Sequence, residues 1–410
     1  MQEAEKVPHF HSNAVNFDPA LIRYFRDKSN MISSSMLLLF SLWVTCPSSS
    51  DSLRFPTLPG PSGQYTVGTS IFYIVDHARK SPIDSARARE LMVELWYPAS
   101  THHGIERALY IPDSALINAM KNDEYLDLSP GVLDSWRDLV SHSYLNAPLA
   151  SSPRLIPLIL FSHGFGMSRL NYTSMFEDLA SHGFIVAAID HPGSGLTVLP
   201  DARVISFAPD PHGPDGKADT MVKDALFVLN ALLDSNQAAG RFARRIDAQR
   251  IGMFGHSLGG AAALDMGRVD KRFRACANMD GHPFGKIPTD GLHQPSLMLL
   301  QQPGEPIHIP DQMRFERDSL WSAIIHKQNS EAYVITIKGM SHFNFSDLPF
   351  IVPDSLMTRN GGTIAPQRGH EIMTRILRAF FGRYLQNAMT DSFQEIAREY
   401  PEVIIKQLDR

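Results

Sequence analysis

The sequence predicts an α/β fold with a mainly parallel central sheet covered by helices on both faces. Three observations carry that expectation. First, apolar runs without polar alternation recur from residue 155 onward: "LIPLILF", "FIVAAID", "RIGMF", "FRACANM", "SLMLL" and "AYVITI". Strands covered on both faces read this way, because neither side of the pleat meets water. Second, segments of helical period lie between them. "DTMVKDALFVLNALLDSN" places Met221, Val222, Leu226, Leu229 and Leu233 on one helical face. Third, the runs end in glycine-rich or polar turns, among them "SHGFG", "HPGSG", "GHSLG" and "DGHP". Strand and helix in alternation make parallel pairing the expected arrangement.

Residues 1–55 read as a leader. Within "MISSSMLLLFSLWVTCPSSS" (31–50) the apolar stretch Met36 to Val44 is shorter than the roughly 20 residues a bilayer span needs. It suits the core of a secretory signal, with Arg23, Arg26 and Lys28 upstream and Met31 as a second candidate initiator. A signal or anchor there implies a secreted or membrane-associated protein; a leader without that role implies a cytoplasmic one. The Pro/Gly punctuation "PTLPGPSG" (56–63) marks the boundary, and 56–410 reads as a single domain. Strands are expected over 64–76 and 90–98, the second alternating around Met92, Glu94 and Trp96. Residues 110–150 read as a helical insertion through Leu116, Ile117, Met120, Leu133, Trp136, Leu139 and Val140. With Trp136 and Tyr144, this insertion is a candidate for peripheral contact with a lipid surface. The strand over 155–161 is followed by a helix in "NYTSMFEDLASHG", closed by Gly183, and the strand "RIGMF" by the helix "LGGAAALDMG". Residues 369–388 form an amphipathic helix through Ile372, Ile376, Leu377, Phe380, Tyr384 and Leu385, whose apolar face is expected to pack on the sheet.

Composition narrows the function classes. The 410 residues are 43% apolar and 20% charged, with a net charge of −5. No basic stripe is present, which argues against a nucleic-acid partner. The two cysteines, Cys46 and Cys276, cannot build a disulfide framework and have no metal-ligand spacing.

The chemistry is expected at the carboxyl ends of the parallel strands. "GHSLG" (255–259) stands between the strand "RIGMF" and an alanine-rich helix. Strand, Gly-x-Ser-x-Gly, helix is the nucleophile elbow of α/β-hydrolases, which lifts a serine hydroxyl out on a tight turn. Ser257 is therefore the candidate nucleophile. A serine needs a base, usually a histidine held by a carboxylate, and the chain order in this fold is serine, acid, histidine. His342 follows a strand in "IKGMSHFNFSD" and is the candidate base; His370, near the start of the last long helix, reads as structural. For the acid, Asp280 stands directly on the tip of "FRACANM", and Glu305 is the alternative one strand later, farther out on its turn. The backbone N–H groups of Leu258, after the nucleophile, and Phe165, in "SHGFG", are the candidate oxyanion donors. His163 reads as a loop brace and His256 as a packed residue. The sequons at Asn171 and Asn344 stand beside these turns, where a glycan would obstruct them. They read as chance matches. This constellation requires no metal or organic cofactor.

These residues resemble a known family. "LPGPSGQYTVG", "LWYPAS", "LILFSHGFGMSRLNYTSMFEDLASHGFIVAAIDH", "IGMFGHSLGGAAAL", "FRACANMDG" and "ITIKGMSHFNFSD" are similar to platelet-activating-factor acetylhydrolases of the plasma and type II intracellular kind, from about residue 56 to 388. The resemblance implies an α/β-hydrolase fold and an acid on the strand after the elbow helix, which points to Asp280. It also implies calcium-independent hydrolysis of short or oxidised sn-2 acyl esters of phospholipids. Phe165 stands where the family has leucine, a change that leaves the backbone donor in place. Three departures bear on substrate preference: Leu258 stands where the family has phenylalanine, "DGHPF" replaces an aromatic residue after the acid, and the insertion at 110–150 differs. A general carboxylesterase, a polyester or dienelactone-hydrolase-like esterase, and a non-catalytic binding domain of the same fold are the other readings.

Overall fold

The computed structural model describes residues 56–406 apart from 101–103, 123–127, 237–238, 285, 306, 308–310, 329 and 389–390. The leader, with its apolar stretch 36–44, lies outside the described residues.

In chain order, β1 (Thr66–Lys80) and β2 (Ala88–Ala99) are followed by β3 (Arg107–Leu109), α1 (Ser114–Lys121), α2 (Pro130–Ser135) and β4 (Val140–Leu145). Then come β5 (Ile156–Ser162), α3 (Thr173–Ser181), β6 (Ile185–Asp190), the small ribbon β7 (Thr197–Val198) with β8 (Val204–Ile205), and α4 (Gly213–Leu233). The second half holds β9 (Ile246–His256), α5 (Leu258–Val269), β10 (Phe273–Met279), β11 (Ser296–Gln302), α6 (Asp311–Ile325), β12 (Ala332–Lys338), α7 (Pro366–Phe381), α8 (Phe393–Glu399) and β13 (Val403–Lys406). Among the described residues, one sheet of eleven strands runs β13-β12-β11-β10-β9-β5-β6-β2-β1-β4-β3. The strands from β12 to β6 are mutually parallel, whereas β2 and β13 flank them antiparallel.

Two cores follow from the two-residue period of the strands. Leu91, Val93, Leu95, Leu158, Leu160, Ile185 and Met253 pack with the buried stripes of α4 and α5. On the other side, Trp96, Phe161 and Phe254 meet Phe176 of α3 and Phe381 of α7 through ring contacts of 4.7–5.8 Å. The face of α7 that carries Ile372, Ile376, Leu377 and Phe380 is wholly buried, so this helix covers the sheet as its periodicity predicts.

The stretch 110–150 differs from its helical reading. Its second half contributes β4, which pairs parallel with β1 and antiparallel with β3. Helical periodicity misreads it because the strand turns its polar residues inward: Ser141 and Ser143 are buried, and Ser143 Oγ donates to the buried Glu177 carboxylate at 2.6 Å. Trp136 is also interior, with its indole N–H donating to Ile351 O at 2.9 Å, so this ring is not presented to a lipid surface.

The order of the sheet sets the working end. β5 pairs with β6 on one side and β9 on the other, so the chain reverses direction of travel across the sheet between β5 and β9. The turns that leave these two strands flank that switch point, the usual ligand crevice of open parallel sheets.

Candidate active site

Ser257 is the single residue between β9 and α5, at φ 53° and ψ −121°. A non-glycine residue at positive φ costs on the order of 1–3 kcal/mol and persists only where its surroundings impose it. Here the Ser257 N–H donates to Met279 O at 2.8 Å, and its carbonyl accepts the N–H groups of Gly260 and Ala261. The flanking glycines answer to close approach. A Cβ at position 255 would sit 2.2 Å from Gly259 O, and one at position 259 would sit 2.1 Å from Ser162 O. Ser257 is partly exposed. Leu258 opens α5, so its N–H is one of the donors that a helix start leaves without an intrahelical acceptor.

Asp280 leaves β10 at φ 55°. Its N–H donates to Leu299 O at 2.7 Å, its Oδ1 accepts the Gln301 N–H at 3.0 Å, and its Oδ2 lies 2.6 Å from His342 Nδ1. Both side chains are mostly shielded, 6% and 11% exposed. With Nδ1–H given to the carboxylate, Nε2 of His342 keeps its lone pair. The His342 ring lies against the ring of His256, centroids 4.4 Å apart, and His256 immediately precedes Ser257. Glu305 is exposed in the turn after β11, and the carboxylate on His342 is that of Asp280.

The loop that carries His342 is held from both ends. Asn344 Oδ1 accepts the Ser341 N–H and hydroxyl, each at 2.8 Å. Asp347 N–H donates to Asn171 O at 2.7 Å, while the buried Asp347 carboxylate accepts the Ser174 hydroxyl and N–H. Burial pushes this carboxyl up to about 7, against the pull of those hydrogen bonds. Asn171 and Asn344 are both buried, and each uses its amide oxygen in a local cap.

The turn after β5 is similarly fixed. Gly164 N–H donates to Tyr172 Oη at 3.1 Å, Gly166 N–H to Ser194 O at 2.7 Å, and Met167 N–H to Gly164 O at 3.1 Å. Phe165 sits between the two tied glycines. Its ring packs edge-on to Phe207, 4.5 Å between centroids, with the Lys217 ammonium beside both rings. Lys217 Nζ donates to Gly193 O at 2.7 Å, and burial lowers its pKa to about 8. His163 is fully buried. Its Nε2 accepts the His191 N–H at 3.0 Å and its Nδ1 lies 2.8 Å from Gly164 O. Burial, with His191 nearby, lowers its pKa to about 4. It is a brace. His370 also reads as structural: it is buried, 3.0 Å from Ser174 Oγ, and burial lowers its pKa to about 4.

Two features were not legible in the sequence. Tyr172 gives no motif signal, yet its hydroxyl sits among Gly164, Met167 and His256. A second serine–histidine–aspartate set is also present. Ser162 Oγ is 2.9 Å from His191 Nε2, and His191 Nδ1 is 2.9 Å from Asp224 Oδ2. Asp224 lies on the buried side of α4, where no spacing rule links it to either partner.

Over residues 50–197 and 222–398 the chain matches the family described as platelet-activating factor acetylhydrolase, isoform II. It belongs to that family. The platelet-activating factor acetylhydrolase of dog is 25% identical over 73% of this chain and 70% of its own length. A probable 1-alkyl-2-acetylglycerophosphocholine esterase of Arthroderma benhamiae is 30% identical over 57% of this chain, a match that spans 61% of that relative's length. Residues 154–279 also match the serine aminopeptidase S33 family. Among solved structures, a ferulic acid esterase from Streptomyces cinnamoneus superposes with a TM-score of 0.70 at 29% identity, covering 86% of this chain and all of that one. Membership of the acetylhydrolase family places the chain among the α/β-hydrolases and among the carboxylic ester hydrolases.

Proposed function

We propose that this serine esterase hydrolyses short or oxidised sn-2 acyl esters of phospholipids, independently of calcium, through Ser257, His342 and Asp280. The observation that carries the assignment is the 2.6 Å Asp280–His342 contact, with the His342 ring packed on His256, the residue before a serine at φ 53°. In this reading His342 Nε2 takes the Ser257 proton as the oxygen attacks the ester carbonyl. Asp280 holds the imidazole with Nδ1–H toward itself and stabilises the imidazolium that forms. The N–H groups of Leu258 and Phe165 receive the charge that develops on the carbonyl oxygen. His342 then protonates the departing alcohol, leaving an acyl-serine. Water gives a proton to the same nitrogen as it attacks the acyl carbon, and His342 returns that proton to Ser257 Oγ as the acid departs.

The phospholipid part rests on the family and on the names of the relatives. A second reading, a carboxylesterase for simpler or aromatic esters, draws on the ferulic acid esterase likeness and on the Phe165–Phe207 pair beside the turn. One assay separates them: turnover of p-nitrophenyl esters of increasing chain length beside a phospholipid with an acetyl or oxidised sn-2 chain, with and without chelator. Chelator-insensitive cleavage of the phospholipid is expected. Cleavage of simple esters with the phospholipid untouched retains the Ser257 chemistry and overturns the phospholipid assignment.

A further inference from the structure

Three parts of the proposed machinery come from distant stretches of chain: the turn after β5, the elbow after β9 and the loop after β12. A buried line of hydrogen bonds joins them. Gly164 N–H lies 3.1 Å from Tyr172 Oη, Tyr172 Oη lies 2.8 Å from His256 Nδ1, and His256 Nε2 lies 3.0 Å from the backbone O of His342. Tyr172 and His256 are both fully buried.

The direction of every bond is fixed by its ends. A carbonyl oxygen only accepts, so His256 Nε2 carries the proton. In a neutral imidazole Nδ1 is then an acceptor, and the imidazole is neutral, because burial and the neighbouring His342 hold its pKa well below the usual range. The Tyr172 hydroxyl therefore donates to His256 and accepts from Gly164. Met167 Sδ, 2.9 Å from the same hydroxyl, is the weaker competing acceptor. The line runs in one sense, from the amide before Phe165 to the carbonyl of His342, and passes through the residue before Ser257.

We infer that Tyr172 and His256 are positioning residues, which set the Phe165 N–H and the His342 ring against Ser257 through this line of hydrogen bonds. The inference rests on the esterase reading. Neither side chain reaches the reacting atoms: the tyrosine hydroxyl holds the oxyanion turn, and the second imidazole holds the backbone under the first. A packing role alone would need the rings but not their polar atoms. Tyr172 has such packing, with its ring against Phe161 at 4.6 Å and Phe176 at 6.2 Å, and Tyr172→Phe retains it.

The test separates polar from packing roles. Tyr172→Phe, His256→Phe and His256→Gln are compared with wild type for kcat, KM and melting temperature. Misplacing a reacting group costs turnover more than affinity, so Tyr172→Phe and His256→Phe should lower kcat about 10- to 100-fold with little change in KM. Glutamine offers a carbonyl acceptor and an amide group that donates, so His256→Gln should recover most of the kcat that His256→Phe loses. The double variant Tyr172→Phe/His256→Phe should be no slower than the slower single variant, as expected for residues on one line. A folded Tyr172→Phe enzyme with unchanged kcat overturns the inference, as do equal losses in the two His256 variants. If Tyr172→Phe does not fold, the His256 pair decides by itself. Fluorophosphonate labelling of wild-type Ser257 is measured alongside. An unlabelled wild type sinks the esterase reading; a labelled wild type with an indifferent Tyr172→Phe sinks only this one.

Discussion

Two serine–histidine–aspartate sets stand at one sheet; each has an aspartate on the histidine Nδ1, and they differ in burial and in the backbone of the serine. In the first, Ser162, His191 and Asp224 are fully buried and the contacts are complete, 2.9 Å at each step. Asp224 is further clamped by Arg89 at 2.6 Å and Arg79 at 2.9 Å. Burial by itself would raise its carboxyl, but Arg89 and His191 hold it well below the ordinary value of 3.8. In the second, Ser257 is partly exposed on a strained turn, and Asp280 meets His342 with no arginine in the pair. Hydrogen-bond geometry therefore does not make a nucleophile. Ser162 ends a regular strand, where its hydroxyl is spent on an interior acceptor that no ester can reach. Ser257 is carried out of the strand by a backbone conformation that the surrounding chain imposes. The first set joins β5, β6 and α4; the second is the one proposed to react.

The largest expected effect breaks the comparison directly. Ser257→Ala should cut kcat by about 10⁶ and abolish fluorophosphonate labelling, since removing the nucleophile removes the covalent path. Retained labelling would show that the wrong set has been assigned. Next in size, Asp280→Asn should lower kcat by about 10⁴, because the amide no longer holds the imidazole in the required tautomer. Glu305→Gln, at an exposed turn, should leave kcat within about twofold. A reversed ranking in steady-state kinetics would return the acid to Glu305.

Within the buried set the losses should appear as stability. Asp224→Asn removes the partner of two guanidinium groups and should cost about 3–5 kcal/mol, measured by urea titration. The sign with pH follows from the depressed carboxyl. Its stabilisation is present above the unfolded pKa near 3.8 and fades as pH falls below it. The gap between wild type and Asp224→Asn should therefore close in acid; a gap that widens there would refute the ion-pair account. Smallest is Ser162→Ala. It should cost about 1–3 kcal/mol by leaving His191 Nε2 without its donor, with Ser257 labelling intact at temperatures where the variant is folded.

Much of this was legible in the chain. The uninterrupted apolar runs gave the parallel strands, because a sheet covered on both sides leaves few polar positions in its middle. "GHSLG" gave the elbow, because no Cβ fits where strand, turn and helix converge. His342 and Asp280 could be proposed as a pair because both stand at ends of strands in the expected order. Other parts were hidden for physical reasons. β4 turns serines inward, and only the Glu177 carboxylate beneath Ser143 explains why. β13 is a four-residue edge strand at Val403–Lys406 whose partner β12 lies more than sixty residues earlier. Tyr172 and Asp224 lie on helical or turn segments, where their apolar neighbours dominate the pattern.

The sequence by itself determined which residue types could react and at which strand ends they stand, since periodicity and glycine sterics are local properties. Only the tertiary structure decided which carboxylate meets His342, which of two serines is exposed, and that Tyr172 and His256 tie the three loops together. Those are distances between segments far apart in the chain, and local pattern does not encode them.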